Sequence, residues 1–285
     1  MTCGLVLEGG AMRGLFTAGV LDLFMERGVA FDGAVGVSAG ACFGCNLKSR
    51  QPGRVLRYNL RFAKDPRYCS WRSLLRTGDL FNADFCYRAL PLELDPFDSA
   101  AYEANPMPFH VVATDCATGK PVYRRLDRVT PETLAWIRAS ASMPLVSRPV
   151  PVGGGEYLDG GLSDSVPLDW FEREGYARNV VILTRPRGYR KAPLSRRAAL
   201  LLRLLLRRRP AVFEALRRRA DVYNAALDHL ARREADGAAL VIAPDAPLTI
   251  PRLCHDPAQM RQAYDQGRQA AEAALPALRR FLAAP

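Results

Sequence analysis

The chain has 285 residues and is 49% hydrophobic, which supports one large α/β domain or two small ones and excludes a generally disordered chain. Its net charge is +11, and the excess is local: residues 185–219 hold thirteen Lys or Arg and one acid, Glu214. The remainder is close to neutral, so this one patch is what would attract an anionic partner, whether a lipid surface, nucleic acid or an acidic protein.

The N-terminal stretch Met1 to Glu8 has no basic region and no small-residue cleavage site. It reads as a first strand, Gly4 to Leu7, and not as a signal peptide. Glu8-Gly9-Gly10-Ala11-Met12-Arg13-Gly14 follows, and then Leu15 to Arg27 has the apolar spacing of a mostly buried helix, with Gly28 as its stop. A short apolar strand from Phe31 ends at Gly36-Val37-Ser38-Ala39-Gly40, after which small residues open another helix. Strand, helix, strand within forty residues is a βαβ unit, so the two strands run parallel and both loops leave their carboxyl ends, where α/β sheets place sites. Residues 51–105 read as a layer of short helices, at Arg54–Arg61, Trp71–Thr77 and Ala83–Leu90. Phe109–Asp115 and Pro121–Leu126 read as a hairpin, Pro131–Ser140 as a helix opened by its proline, and Gly153–Gly161 as turn, strand, turn. Val180–Thr184 and Leu240–Ala243 are further strands, Arg196–Arg233 is a basic helical stretch broken near Pro210, and Met260–Leu282 is a terminal helix. The most apolar late run, Ala198–Leu206, is interrupted by Arg203 and too short to span a bilayer. Seven irregularly spaced cysteines make no disulfide framework and suit a reducing cytoplasm.

Gly36 to Gly40 is a Gly-x-Ser-x-Gly pentapeptide between a strand and a helix, which makes Ser38 a candidate nucleophile on a tight elbow with small neighbours at Gly36 and Gly40. The bland alternative is an N-cap serine in a glycine-rich turn. A nucleophile needs an oxyanion hole and a base. The Gly9-Gly10-Ala11-Met12-Arg13-Gly14 loop can offer backbone N–H groups and the start of a helix. A dinucleotide loop is the other reading, but Ala11 occupies the middle Gly position of that motif. The chain has three histidines, of which His255 has the best position for a conventional base. Asp159-Gly160-Gly161 ends a short strand and offers a carboxylate instead; a carboxylate base needs a buried setting, since its reference pKa is about 3.9.

Together, Glu8–Gly14, Gly36–Gly40 and Asp159–Gly161, with Ala113-Thr114-Asp115 and Ala139-Ser140-Ala141-Ser142-Met143-Pro144, resemble the patatin-like phospholipase family over roughly residues 4–184. The resemblance implies a three-layer α/β/α fold with a largely parallel sheet. It implies a Ser–Asp dyad of Ser38 and Asp159, an oxyanion hole in the Gly9–Arg13 loop, and hydrolysis of fatty-acyl esters of phospholipids and neutral lipids. Glu8 stands where the family has Asp, and Ala11 where it has a third Gly; the latter matters if that position needs a positive φ. Residues 1–184 are then the catalytic domain and 185–285 a basic, mostly helical extension to which no functional residue is assigned.

Three further features carry two readings each. Arg13 holds the oxyanion loop through backbone carbonyls or meets a substrate phosphate. Cys42 and Cys45 pack a small-residue helix or bind a metal, and packing is favoured because no second pair exists. The Arg196–Arg219 stretch, with its leucine-rich face, lies on an anionic membrane or covers a packed core; without interleaved aromatics it is a poor nucleic-acid surface. The expectation is a serine acyl hydrolase needing no metal or cofactor, cytoplasmic or peripheral at the inner membrane face. A Ser–His esterase using His255 and a non-catalytic lipid-binding module of the same fold are the alternatives.

Overall fold

The computed structural model describes residues 2–283; Met1, Ala284 and Pro285, at the two ends of the expected domains, lie outside the described residues. Strand β1 (Cys3–Leu7) leads through a short 3-10 turn (Ala11–Arg13) into helix α1 (Gly14–Glu26), and β2 (Gly33–Val37) leads directly into α2 (Ala39–Lys48). The helical layer holds α3 (Arg54–Phe62), α4 (Trp71–Thr77), a wide π-helical segment (Phe85–Leu94) and α5 (Ser99–Ala104). The hairpin is β3 (Phe109–Asp115) with β4 (Pro121–Arg125), followed by α6 (Pro131–Ser140), β5 (Val150–Val152), β6 (Gly155–Asp159) and α7 (Leu168–Arg173). The chain closes with β7 (Arg178–Ile182), α8 (Arg196–Leu205), α9 (Pro210–Ala235), β8 (Ala239–Ile242) and α10 (Pro257–Ala283). The short elements α5, β5 and α7 were not expected, because three to six residues carry too little periodicity to stand out.

The eight strands form one sheet in the order β5-β6-β3-β2-β1-β7-β8, with β4 beside β3. β3, β2, β1, β7 and β8 are mutually parallel; at one side β4 and β6 run antiparallel to β3, and β5 runs antiparallel to β6. All five residues of β1, β2 and β7 are buried, as befits a parallel sheet covered on both faces. Alternation divides their side chains between two layers. Leu5, Leu7, Ala34, Val111 and Ile182 pack with α1, α2 and α10, whereas Val6, Val35, Val37, Val112 and Val181 pack with Leu168 and Phe171 of α7 and Tyr223 and Leu230 of α9. The result is the three-layer α/β/α architecture. Beyond residue 184 the chain stays in the same layers: β8 pairs with β7, and α10 packs along α1. Among the described residues no helix is long and apolar enough to cross a membrane.

β3 is longer than β2 and uses the surplus. Val37 pairs with Val112 and, on the same edge, Asp159 pairs with the next residue, Ala113. Since β4 occupies the opposite edge at both positions, β6 approaches end-on to β2. Residues 122 positions apart in sequence are thereby set at consecutive steps of one strand.

Candidate active site

Ser38 sits where β2 turns into α2, with φ 55° and ψ −119°, a backbone conformation that L-residues rarely adopt. Its neighbours have no room for side chains. A Cβ on Gly36 would lie 2.4 Å from the Gly40 carbonyl oxygen, and one on Gly40 would lie 2.4 Å from that of Leu7. The elbow is held by α6: the Ser38 N–H donates to the fully buried Ser140 hydroxyl at 2.9 Å. Two residues on, the Ser142 carbonyl accepts from the Asp159 N–H at 2.8 Å, and the Thr114 hydroxyl donates to the Asp159 carbonyl at 2.8 Å. The Ala139–Pro144 and Ala113–Asp115 stretches therefore fix both halves of the pair through the backbone.

Asp159 is 2% exposed. Burial raises its pKa above the ordinary carboxylate value, and four favourable neighbours limit that rise: the Ser38 hydroxyl as a side-chain hydrogen bond, the Arg219 charge, the Gly161 N–H at 2.7 Å, and Lys191. A carboxylate in this setting is a stronger base than one in water. Gly160 has to be small, since a Cβ there would meet the Val112 carbonyl at 2.2 Å.

The glycine loop lies against the elbow, and a Cβ on Gly9 would sit 2.9 Å from the Ser38 Cβ. Three of its six N–H groups are used inside the protein: Met12 donates to the Arg252 carbonyl, Arg13 to that of Gly10, and Gly14 to those of Ala11 and Met12. Gly9, Gly10 and Ala11 line the cavity, and their amides have no acceptor among the described residues. Ala11 has φ 49°, so its position does take the left-handed conformation that favours glycine. Glu8, 3% exposed, anchors the loop's start. It accepts from the Thr184 N–H at 2.6 Å and from the Tyr223 hydroxyl at 2.7 Å, tying β1 to the end of β7 and to α9.

The cavity holds about 80 Å³. Ser38, Asp159, Gly161 and the loop form one side, and Met143 and Ser165 contribute to the wall. The remaining wall comes from Arg185, Tyr189, Lys191, Tyr223 and Arg252, to which the sequence led us to assign no site role, and from Arg219, which was read as the end of the basic membrane-facing stretch. A signal for Arg219 was present in the helical period, because Val212, Ala215, Arg219 and Tyr223 share one stripe of α9. Arg13 also lines this cavity and is 8% exposed. Among the described residues its guanidinium makes no bond to the loop carbonyls, one of its two expected roles, and its Nε has no hydrogen-bond partner. Burial and the neighbouring Arg185 lower its pKa to about 10, and the same causes, burial first and then Arg219, lower that of Lys191 to about 7.

None of the three histidines lines the cavity. His255 Nδ1 pairs with the Ala63 carbonyl oxygen at 2.7 Å, His229 pairs with Glu172 at 2.7 Å, and His110 packs against Trp170. Cys42 and Cys45 are on α2, Cys45 buried and Cys42 partly so, and burial pushes their thiols up to about 12 and about 11. Among the described residues no group of three His, Cys, Asp or Glu could hold a metal ion.

Comparison with known proteins agrees with this geometry. The chain is similar to the Escherichia coli protein YjjU, at 35% identity over 64% of this chain and 52% of that protein. It is similar to the NTE family protein Rv1063c of Mycobacterium tuberculosis, at 33% identity over 58% of this chain and 44% of the relative. A patatin-like phospholipase domain-containing protein of Caenorhabditis elegans, ZK370.4, is 31% identical over 62% of this chain and 13% of its own length. The chain thus spans about half the length of the two bacterial relatives. Residues 209–283 match a domain of unknown function, DUF6363. Residues 5–171, more than half of the chain, match the family model for patatin-like phospholipases, and the chain belongs to that family.

Proposed function

We propose that the protein is a serine acyl hydrolase of lipid esters that works through a Ser38–Asp159 dyad. The observation that carries this reading is the convergence, in one cavity, of a strained elbow serine, a buried carboxylate and three backbone amides with no acceptor among the described residues. Ser38 Oγ attacks the ester carbonyl carbon and passes its proton to Asp159. The Gly9, Gly10 and Ala11 amides, aided by the free N-terminal amides of α2, hold the oxyanion. Asp159 returns the proton to the leaving alcohol. It then takes one from the water that attacks the acyl-serine and passes it to Ser38 Oγ as the acyl–oxygen bond breaks, which releases the acid and restores both residues.

Of the alternatives, the Ser–His esterase has no histidine at the cavity to support it. The test is hydrolysis of p-nitrophenyl butyrate by the protein beside Ser38→Ala and Asp159→Asn. Loss of turnover in both folded variants supports the dyad. Activity retained in Asp159→Asn moves the base elsewhere, and no turnover by any of the three on this ester or on phospholipid favours a binding module.

The reading extends to α8 as a peripheral contact with anionic membrane. α8 has no buried residue. Leu200, Leu201, Leu204 and Leu205 are 54–73% exposed, so the leucine face does not cover a core. Arg196, Arg197, Arg203, Arg207 and Arg208 surround it in solvent. An apolar stripe edged by arginines matches the boundary between acyl chains and anionic headgroups.

A further inference from the structure

Five cations face the cavity: Arg13, Arg185, Lys191, Arg219 and Arg252. They arrive from four segments, namely the turn before α1, the loop after β7, α9 and the loop before α10. A solvated charge run would not converge in this way. None of the five forms an ion pair among the described residues, although arginines elsewhere do so freely. The two carboxylates on the wall are committed, Glu8 to Thr184 and Tyr223, and Asp159 to Gly161 and Ser38. Arg13 is nine-tenths buried with an unpartnered Nε, and a buried guanidinium left unpaired is costly unless a ligand satisfies it.

Resting on the hydrolase reading above, we propose that this cavity binds a phosphate monoester, so that the preferred substrate is a single-chain acyl ester whose alcohol carries a terminal phosphate. Phosphate oxygens accept bidentate bonds from guanidinium forks, and two negative charges offset most of the wall's excess. A cationic head is opposed by four guanidinium charges and, when protonated, by Lys191. It also finds no aromatic cage, because Tyr189 and Tyr223 are already covered by Arg185 and Lys191 at 4.6 and 3.8 Å from the ring centres. Met143 lines the cavity and Leu145, two residues on, is 47% exposed; the acyl chain is assigned to this side. Hydrolysis then yields a fatty acid and a phosphorylated small alcohol, with water supplying the acid's oxygen and both protons.

The test compares kcat/KM on three octanoyl esters of glycerol that share one chain: unsubstituted, phosphorylated, and carrying phosphocholine. The chain is short enough that membrane docking does not enter. The phosphorylated ester should be preferred to both others by about tenfold or more. Arg185→Gln and Arg252→Gln, whose guanidinium groups make no hydrogen bond among the described residues, should lower the ratio of phosphorylated to unsubstituted turnover by a similar factor. Equal turnover of the three by an active protein overturns this inference and leaves the hydrolase reading standing. If none is hydrolysed, the hydrolase reading fails, and calorimetry with glycerol phosphate and Ser38→Ala decides the pocket: no binding overturns it, and binding lost in Arg252→Gln upholds it. Binding of inorganic phosphate as tight as that of glycerol phosphate, with no preference among the esters, marks a free-phosphate site and overturns the substrate assignment.

Discussion

Removing one hydroxyl, in Ser140→Ala, tests how the nucleophile is held. Ser140 is fully buried, and its Oγ is the acceptor for the Ser38 N–H at 2.9 Å. Ser38 also sits at φ 55°, where backbone strain has to be balanced by neighbouring bonds. The substitution leaves an N–H unpaired in the interior, at a cost of about 1–3 kcal/mol. For a chain of this size that lowers Tm by roughly 2–10 °C. Relaxation of the elbow moves Oγ away from Asp159 and the open amides, and a displacement near 1 Å reduces kcat by about a hundredfold. Differential scanning fluorimetry and p-nitrophenyl ester kinetics read both effects, with KM little changed. Ser142→Ala is the matched control, because the Asp159 N–H bonds its carbonyl oxygen, which alanine retains. A Ser140→Ala variant within 1 °C of the parent and with unaltered kcat would refute the assignment of Ser140 as the residue positioning the nucleophile.

Ala11→Gly relieves a left-handed alanine costing about 1–2 kcal/mol and returns about 0.4–1 to unfolded-chain flexibility. Tm should therefore rise by roughly 1–4 °C with activity retained; a fall would mean that the methyl group packs usefully. Lys191 predicts a pH dependence of stability. Its folded pKa is lowered to about 7 by burial, then by Arg219, with Arg252 and Arg13 acting in the same sense and Glu8 opposing. The unfolded lysine keeps its proton to about 10.4. Between these values the unfolded chain binds more protons, so stability should rise as pH is raised from 7 to 9. Lys191→Met should flatten that rise in urea titrations, and an identical slope would remove Lys191 as its source. Leu201→Asp with Leu204→Asp changes exposed side chains only; Tm should hold while partitioning to anionic vesicles falls by about tenfold or more. Unchanged partitioning would end the case for α8 as the membrane contact.

The sheet and the dyad candidates were legible because their signals are short and local. A buried parallel strand is a continuous apolar run, as in Leu5-Val6-Leu7, and an elbow needs Gly at fixed offsets, as at Gly36 and Gly40. What was hidden is long-range. The run from Arg185 to Arg219 reads as one basic patch, yet Arg185, Lys191 and Arg219 face the cavity, whereas Arg196, Arg197 and Arg203 face solvent on α8. Charge counting cannot divide such a run; only helical phase can, and only once the helix boundaries at Leu205 and Pro210 are known. Arg13 carried two readings for a related reason: whether a guanidinium bonds loop carbonyls or faces a cavity depends on segments hundreds of residues away.

Because β3 carries Val37 and Asp159 at consecutive positions of one edge, the register of the two reactive groups does not depend on the length of the loops between them, provided that α6 keeps its bonds to both. Residues 49–105 run from α2 to β3, and residues 116–130 run from β3 to α6. Lengthening either excursion adds only the slowly growing entropy of a longer loop and leaves the register untouched. Relatives of quite different size can therefore share one reactive centre, with new cover, lids or docking surfaces grown on these two excursions.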